Sequence, residues 1–344
     1  MGLFSSNRGY LGIDIGTFGV KMVELKKEGG KAKLFSYGFS ENKNIGKIEN
    51  KNNDPDYMAG IINKIWKDSG MVSRSAIASL PTFSVFSSIL NLSNVAQKDM
   101  KSAVHWEAKK VIPLPLDEMI LDWKIIKDDN AKKGDIKVFL TGAPRVLIKK
   151  YIEIFKKAQI NLLSLETETF SLIRVLLGND KSTVVLVEIG ANTTDIAIVE
   201  NGIPVLSRSV DVGGLTITKA ISGNLNIGIE RAEQFKYDLG VGSFESETSI
   251  IPKTIADTIQ PIVNEIKHSL NMFQGKSDKQ IDKVIFSGGS ALLVDFTNYL
   301  SKIIDKQVII GNPWSRISYP TELKLTLDEI GPRMSVAVGL AMRD

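Results

Sequence analysis

The chain contains no cysteine. That excludes disulfides, thiolate metal sites and a cysteine nucleophile, and it fits a reducing compartment. Histidine is scarce: only His105 and His268 occur in 344 residues. A histidine-based metal site or a Ser-His-Asp triad has almost nothing to be built from. No apolar run approaches the ~20 residues of a membrane-spanning helix, and residues 1–10 lack the apolar stretch of a signal peptide. The sequence therefore predicts a cytoplasmic protein. An excess of one charge is missing too, since 43 Lys plus Arg face 39 Asp plus Glu, a net +4. That is too mild for a nucleic-acid binder, and none is expected as a partner. Gly2 followed by Ser6 superficially fits the myristoylation pattern, but Leu3 and Phe4 equally suit docking on a sheet.

The length suffices for two ordinary domains, each with its own core. Residues 12–25 (GIDIGTFGVKMVEL) and 186–199 (LVEIGANTTDIAIV) follow one plan: apolar strand, acid, Ile, Gly, short polar turn, apolar strand. Asp14 aligns with Glu188 and Gly16 with Gly190. Alternating apolar residues predict half-buried strands in each copy, and the glycine lets the turn present bare N–H groups, an anion cradle. Two such cradles, each preceded by a carboxylate, suit a polyphosphate and its magnesium held from both sides. Each hairpin alone is equally explained as an ordinary sheet hairpin.

Along the chain, strands are expected at 10–15, 19–25 and 31–37, a polar loop at 45–54, and a helix from Asp54-Pro55 to about 67. Strands at 75–79 and 85–90, a helix at 96–110 and a hairpin of 121–126 with 136–141 around the polar loop 128–134 predict a small α+β insertion over about 75–143. Helix 146–158, strand 161–165 and helix 167–177 complete a first domain of residues 1–180. A second, residues 181–344, opens on an almost unbroken apolar strand after Ser182. Its Asn201-Gly202 turn leads to strand 203–210. Helices 215–225, 228–239 and 255–273, strand 283–287, helix 292–300 and strand 307–310 follow. A last helix from Pro332 to about 342 is expected to pack back on the first domain.

Asp14 ends a strand where the first cradle begins, a position suited to magnesium through water. Thr17 adds a hydroxyl, Phe18 completes the turn, and Lys21 offers a countercharge, although a solvated strand lysine explains it as well. Asn192, Thr193 and Thr194 supply donors on the second cradle, with Asp195 beyond. Residues 286–291 (FSGGSA) run a strand into Gly288, Gly289 and Ser290, where bare backbone can lie against a purine before a helix N-terminus. Asp211 to Gly214 (DVGG) at another helix start offers backbone from Gly213 and Gly214. Glu233 and Lys236 share a helix face, either to grip a ribose or as a surface ion pair. No P-loop and no dinucleotide glycine turn is present.

In order, these motifs resemble the actin, Hsp70 and sugar-kinase superfamily. Within it the chain is similar to the PilM family of type IV pilus assembly proteins, themselves FtsA-like. Residues 3–25, WEAKKVIPLPLDEMILDW at 106–123 and SVAVGLAMR at 335–343 carry the likeness, over almost the whole chain. The resemblance implies an α/β, actin-like (ribonuclease H-like) two-domain fold with an inserted α+β subdomain. It also implies ATP with Mg2+ in the cleft. Asp14, Gly16, Thr17, Phe18 and Lys21 would face Gly190, Asn192, Thr193 and Thr194. Gly213 and Gly214 would lie nearby, with Glu233, Lys236, Gly288, Gly289 and Ser290 around the nucleoside. Asp14 and Glu188 would hold the metal, and Glu168 would position the attacking water, although a helix-start carboxylate explains it equally. Glu188 stands where the family more often has Asp, which argues against tight coordination and fast hydrolysis. The implied partner is the cytoplasmic N-terminal peptide of PilN, with other pilus platform proteins or motor ATPases beyond it. The peptide would lie near residues 85–90 and helix 96–110, by strand addition or in an apolar pocket. That partner would place the chain at the inner face of the cytoplasmic membrane only indirectly. An FtsA-like filament former and a small-molecule kinase are the alternatives; no candidate for a kinase's Asp base stands out in the first domain.

Overall fold

The computed structural model describes residues 10–41, 54–126, 134–242 and 250–343. The N-terminal segment, most of the loop expected at 45–54 and most of that at 128–134 lie outside these residues.

Strands β1 (Tyr10–Gly16), β2 (Gly19–Glu28) and β3 (Lys31–Glu41) form the expected antiparallel meander, each longer than the apolar alternation alone marks. Gly29 and Gly30, with φ of +59° and +79°, make the left-handed turn between the last two. The hairpin register sets Asp14 directly across from Lys21. Helix α1 (Pro55–Asp68) starts where the sequence marks it, because the Asp54 carboxylate accepts from the Asp56 and Tyr57 amides.

Strand β4 (Ser75–Leu80) is not part of the insertion to which the sequence reading assigned it. It runs parallel to β1 inside the first large sheet. Its continuous burial is that of a central strand covered on both faces, which the small polar-looking run SAIASL conceals. The small sheet begins only afterwards, with β5 (Phe86–Ser93), α2 (Met100–Val111), β6 (Met119–Ile126) and β7 (Asp135–Pro144), in the order β5-β7-β6. Leu90, Leu92, Met100, Val104, Ala108, Val138 and Leu140 give it a core of its own. The helix expected from residue 96 starts late, behind a 3₁₀ turn at Gln97–Asp99.

The chain then returns through α3 (Arg145–Lys157) and β8 (Asn161–Thr167) to the first sheet, whose order is β3-β2-β1-β4-β8. Helix α4 (Glu168–Leu172) passes into a π turn at Ile173–Leu177 that ends at Gly178. The second half repeats the pattern. Strands β9 (Val184–Ile189), β10 (Thr194–Glu200) and β11 (Ile203–Val210) form a meander, followed by α5 (Gly214–Leu225), α6 (Ile229–Leu239) and α7 (Ile250–Gln274). Strand β12 (Lys283–Ser287), α8 (Phe296–Ile304) and β13 (Val308–Ile310) close a second sheet in the order β11-β10-β9-β12-β13. Position by position this is the order of the first sheet, so the two matching stretches of sequence are the first hairpins of two equivalent sheets.

The last helix, α9 (Lys324–Ala341), starts eight residues before the proline taken as its first turn, and Pro332 lies inside it. A proline removes one N–H and crowds the preceding turn, but buried packing outweighs that local cost here. The Pro332 carbonyl accepts instead from the Gly288 amide at 3.0 Å and the Ser287 hydroxyl at 3.1 Å. Helix α9 packs on both sheets. Val336 and Leu340 meet Ile77, Leu186 and Ile285, and a Cβ on Gly12 would lie 1.9 Å from the Ala337 carbonyl oxygen.

Candidate functional site

The two hairpins bring their charged side chains close enough to act on one another, Glu188 on Lys21 and Asp14 on Glu188. Asp14 is buried; its Oδ2 accepts from Lys21 Nζ at 2.8 Å and its Oδ1 from the Ser79 hydroxyl at 2.9 Å. Lys21 is therefore not a solvated strand lysine. Burial pulls its pKa down, but Asp14, Glu188 and Glu168 together raise it on balance. Gly16 sits beside this pair, because a Cβ there would lie 3.6 Å from Lys21 Nζ, while Thr17 is exposed at the tip and Phe18 half-buried.

Facing them, Glu188 and Asp195 are cross-strand partners in the second hairpin, at the positions that Asp14 and Lys21 occupy in the first. One arm thus offers an acid and a base, the other two acids. Burial first, then the charge of Asp14, pushes the Glu188 carboxyl up to about 8 against the pull of Lys21. Burial likewise lifts Asp195 to about 6, against the hydrogen bond from Ser209. Glu168, at the start of α4, is held well above the usual glutamate range by burial and by Glu188, Asp14 and Asp195. A carboxyl with a folded pKa above its unfolded one favours the fold while protonated. For Glu188 that contribution is complete below the ordinary 4.5 and is lost as pH rises through about 8. Between pH 5 and 8 the ligand-free protein should lose stability, and Glu188→Gln should flatten the slope; urea unfolding across that range measures both.

The second turn is fastened from behind. The Gly190 amide donates to the Thr193 carbonyl at 2.9 Å, and the Gly190 and Ala191 carbonyls accept from the Gly214 and Leu215 amides at 2.9 and 2.8 Å. This corrects two sequence readings. The Gly213–Gly214 backbone braces the cradle, since the Gly213 amide donates to Thr216 and that of Gly214 to the loop, so neither amide points its hydrogen at a phosphate. Thr194 is fully buried and gives its hydroxyl to the Val212 carbonyl at 2.7 Å, leaving half-buried Asn192 and Thr193 as the turn's side chains nearer solvent.

On the nucleoside side, Gly288 has φ of +86°, and a Cβ there would fall 2.2 Å from the Ile189 carbonyl oxygen, so only glycine fits. A short 3₁₀ turn, Gly289–Leu292, follows, and the helix expected at 292–300 starts only at Phe296, as α8. Ser290 is buried against Gly214. Glu233 and Lys236 do pair, at 2.7 Å, but Lys236 is only 2% exposed. Its ammonium donates to Thr218 at 3.0 Å and to the Gly214 carbonyl at 3.2 Å as well. It is neither a surface ion-pair lysine nor one with donors left for a ribose; Glu233, 41% exposed, is the accessible member. Burial, helped by Arg333, lowers the Lys236 pKa despite Glu233. What the Gly289 backbone faces is Tyr237 and Arg333: the Tyr237 hydroxyl and Arg333 Nε would each lie 3.4 Å from a Cβ there. Neither was singled out from the sequence. Tyr237 directly follows the Glu233 and Lys236 pair, but Arg333 lies some 45 residues beyond Gly288 and follows the misread proline.

These residues fit a magnesium nucleotide. Glu188 Oε2 is a buried acceptor with no hydrogen-bond partner, of the kind a cation or its water satisfies. Among the described residues no three His, Asp or Glu side chains gather into a metal cage. Magnesium bound by one or two carboxylates with phosphates and water needs none. The hollow of about 200 Å³ around Lys26, Lys27, Lys33 and Phe35 lies at the other end of β2 from Lys21 and belongs to a different surface.

A family model described as type IV pilus assembly protein PilM matches residues 12–344. The cell division protein FtsA of Neisseria meningitidis serogroup B is 26% identical over 285 residues, covering 72% of this chain and 66% of FtsA. The chain thus spans just under two thirds of that relative's length. A solved PilM–PilN type IV pilus biogenesis complex superposes with a TM-score of 0.84 at 22% identity, over 97% of this chain and 98% of that one. MreB 5 of Spiroplasma citri, bound to AMPPNP, gives 0.56 at 14% identity over 97% and 95%. At such identities the structural likeness shows the fold, and the fold is actin-like.

Proposed function

The chain belongs to the type IV pilus assembly protein PilM family, and from that we propose that it is an ATP-binding scaffold holding the cytoplasmic N-terminal peptide of PilN. The observation that carries the nucleotide part is the electrostatic unit made by the two hairpins, Asp14 with Lys21 against Glu188 with Asp195. Lys21 and the turn backbones of both hairpins would hold phosphate oxygens, and Asp14 and Glu188 would hold magnesium through water. Gly288, Gly289, Tyr237, Arg333 and Glu233 would surround the nucleoside. When bound, Mg-ATP supplies an anionic bridge with its own cation between the two halves. Glu168 would orient a water, but the burial and neighbouring acids that raise it well above the usual glutamate range work against general-base catalysis, so hydrolysis is expected to be slow.

The PilN part is supported by the likeness to a PilM–PilN complex and by apolar side chains left in water on and beside the insertion. Phe83, Trp106 and Val146 are 57%, 66% and 80% exposed, and such apolar side chains suit those of a peptide. Among the described residues no helix is long and apolar enough to cross a membrane. Attachment to the inner membrane would run through the partner.

Nucleotide would gate the peptide site by fixing the angle between residues 1–180 and 181–344. Calorimetric titration of a synthetic PilN N-terminal peptide should show affinity changing by about fivefold or more when Mg-ATP saturates the protein. Equal affinity in both conditions removes the gating, and no binding in either removes the peptide role.

A further inference from the structure

Glu168 stands at the start of α4, yet the donors that hold its carboxylate come from another part of the chain. Oε2 accepts from the Thr82 amide at 3.0 Å and from the Thr82 hydroxyl at 3.2 Å. That hydroxyl lies 3.4 Å from the Thr169 hydroxyl as well. Thr82 opens the 3₁₀ turn Thr82–Ser84, which joins β4 of the first large sheet to β5 of the inserted one. No residue of this turn is buried, so apolar packing does little to fix it. Both the turn and β5 touch β11, the edge strand of the second sheet. One threonine therefore grips an acid of the cleft while its turn rests against the opposite half of the molecule.

We infer that Thr82 is a positioning residue for Glu168 and the link through which whatever fills the cleft sets the orientation of the inserted subdomain. The inference rests on the nucleotide reading of that cleft. Glu168 shares the cleft with Glu188, Asp14 and Asp195. Phosphates and a cation arriving among these groups change the field at its carboxylate. The carboxylate's two contacts to Thr82 then strengthen or give way together, because both end on one oxygen. Since Thr82 lies at the entry to the insertion, a displacement there is carried into β5 and its contact with β11.

Hydrogen exchange read by mass spectrometry on the full chain tests this, comparing wild type, Thr82→Ser and Thr82→Val with and without saturating Mg-ATP. In wild type and Thr82→Ser, nucleotide should change exchange of the β5 and β11 amides by about fivefold or more. In Thr82→Val, which keeps the shape and the backbone donor but loses the hydroxyl, the response should shrink toward about twofold. A mere loss of stability would raise exchange with and without nucleotide alike and leave the ratio standing. Should Thr82→Val fail to fold, Glu168→Ala removes the acceptor of both contacts, and its response should fall below about twofold. A full response in the folded variant overturns the inference, as does a wild type that binds Mg-ATP in the calorimeter without any change at β5 and β11. Either result leaves the nucleotide reading intact; a wild type that binds no Mg-ATP overturns both.

Discussion

Asp14→Ala should weaken Mg-ATP binding by about two orders of magnitude, close to 2.7 kcal/mol, and should abolish the dependence of affinity on magnesium. Asp14 is held in place from two sides, by Lys21 at 2.8 Å and by Ser79 at 2.9 Å. A fixed carboxylate next to the phosphate cradle can take a magnesium-bound water without the cost of first being ordered. Two effects of the substitution oppose each other, which makes the magnesium control decisive. Without Asp14 the Lys21 ammonium is released to pair with phosphate, so metal-free nucleotide should bind as well as before or better. Only the metal-dependent part of the affinity should disappear. Equilibrium binding of a fluorescent ATP analogue with magnesium or with EDTA separates the two. If Asp14→Ala tightens on adding magnesium as much as wild type does, Asp14 is simply the counter-ion of Lys21 and the metal assignment is wrong.

Gly12→Val should destabilise the protein by about 3 kcal/mol or more, read as a fall in the urea midpoint with an unchanged slope. A Cβ at this position would lie 1.9 Å from the Ala337 carbonyl oxygen and 2.5 Å from the Ala341 amide nitrogen. Both are backbone atoms of a long helix and have no rotamer to move into. Relief requires α9 to lift away from β1, and with it the contacts that Val336 and Leu340 make to β4, β9 and β12. Because the Pro332 carbonyl in the same helix holds the Gly288 amide, the nucleoside loop should loosen together with the core. A variant as stable as wild type would show that α9 does not lie on β1 as described.

Much of the cleft was legible from sequence because its first parts are local. The Asp14 and Glu188 hairpins alternate cleanly, each turns at a glycine, and Asp54-Pro55 and Asn201-Gly202 announce their structures within four residues. Parts that depend on who lies opposite were read wrongly or left open. Lys236 looked like half of a surface pair, since Glu233 at i and Lys236 at i+3 are compatible with any exposed helix; only the packing of α5 against α6 buries its ammonium. Thr194 looked like a ligand-facing hydroxyl until the Val212 carbonyl, eighteen residues on, claimed it. Pro332 obeyed a sound rule for a helix start and was overridden by tertiary contacts on either side.

By itself, then, the sequence determined that the chain is built twice on one hairpin plan, and which carboxylates and glycines that plan sets at the turns. Strand period, turn chemistry and the reach of a side chain are properties of a few neighbouring residues, so they can be read in order. The tertiary structure alone decided that β4 belongs to the large sheet, that α9 passes against both sheets and brings Arg333 to Gly289, and that Thr82 reaches Glu168. Each of these joins residues about 45 or more positions apart. Such contacts form only when buried area and matched polar partners across the whole fold outweigh the entropy of bringing distant segments together.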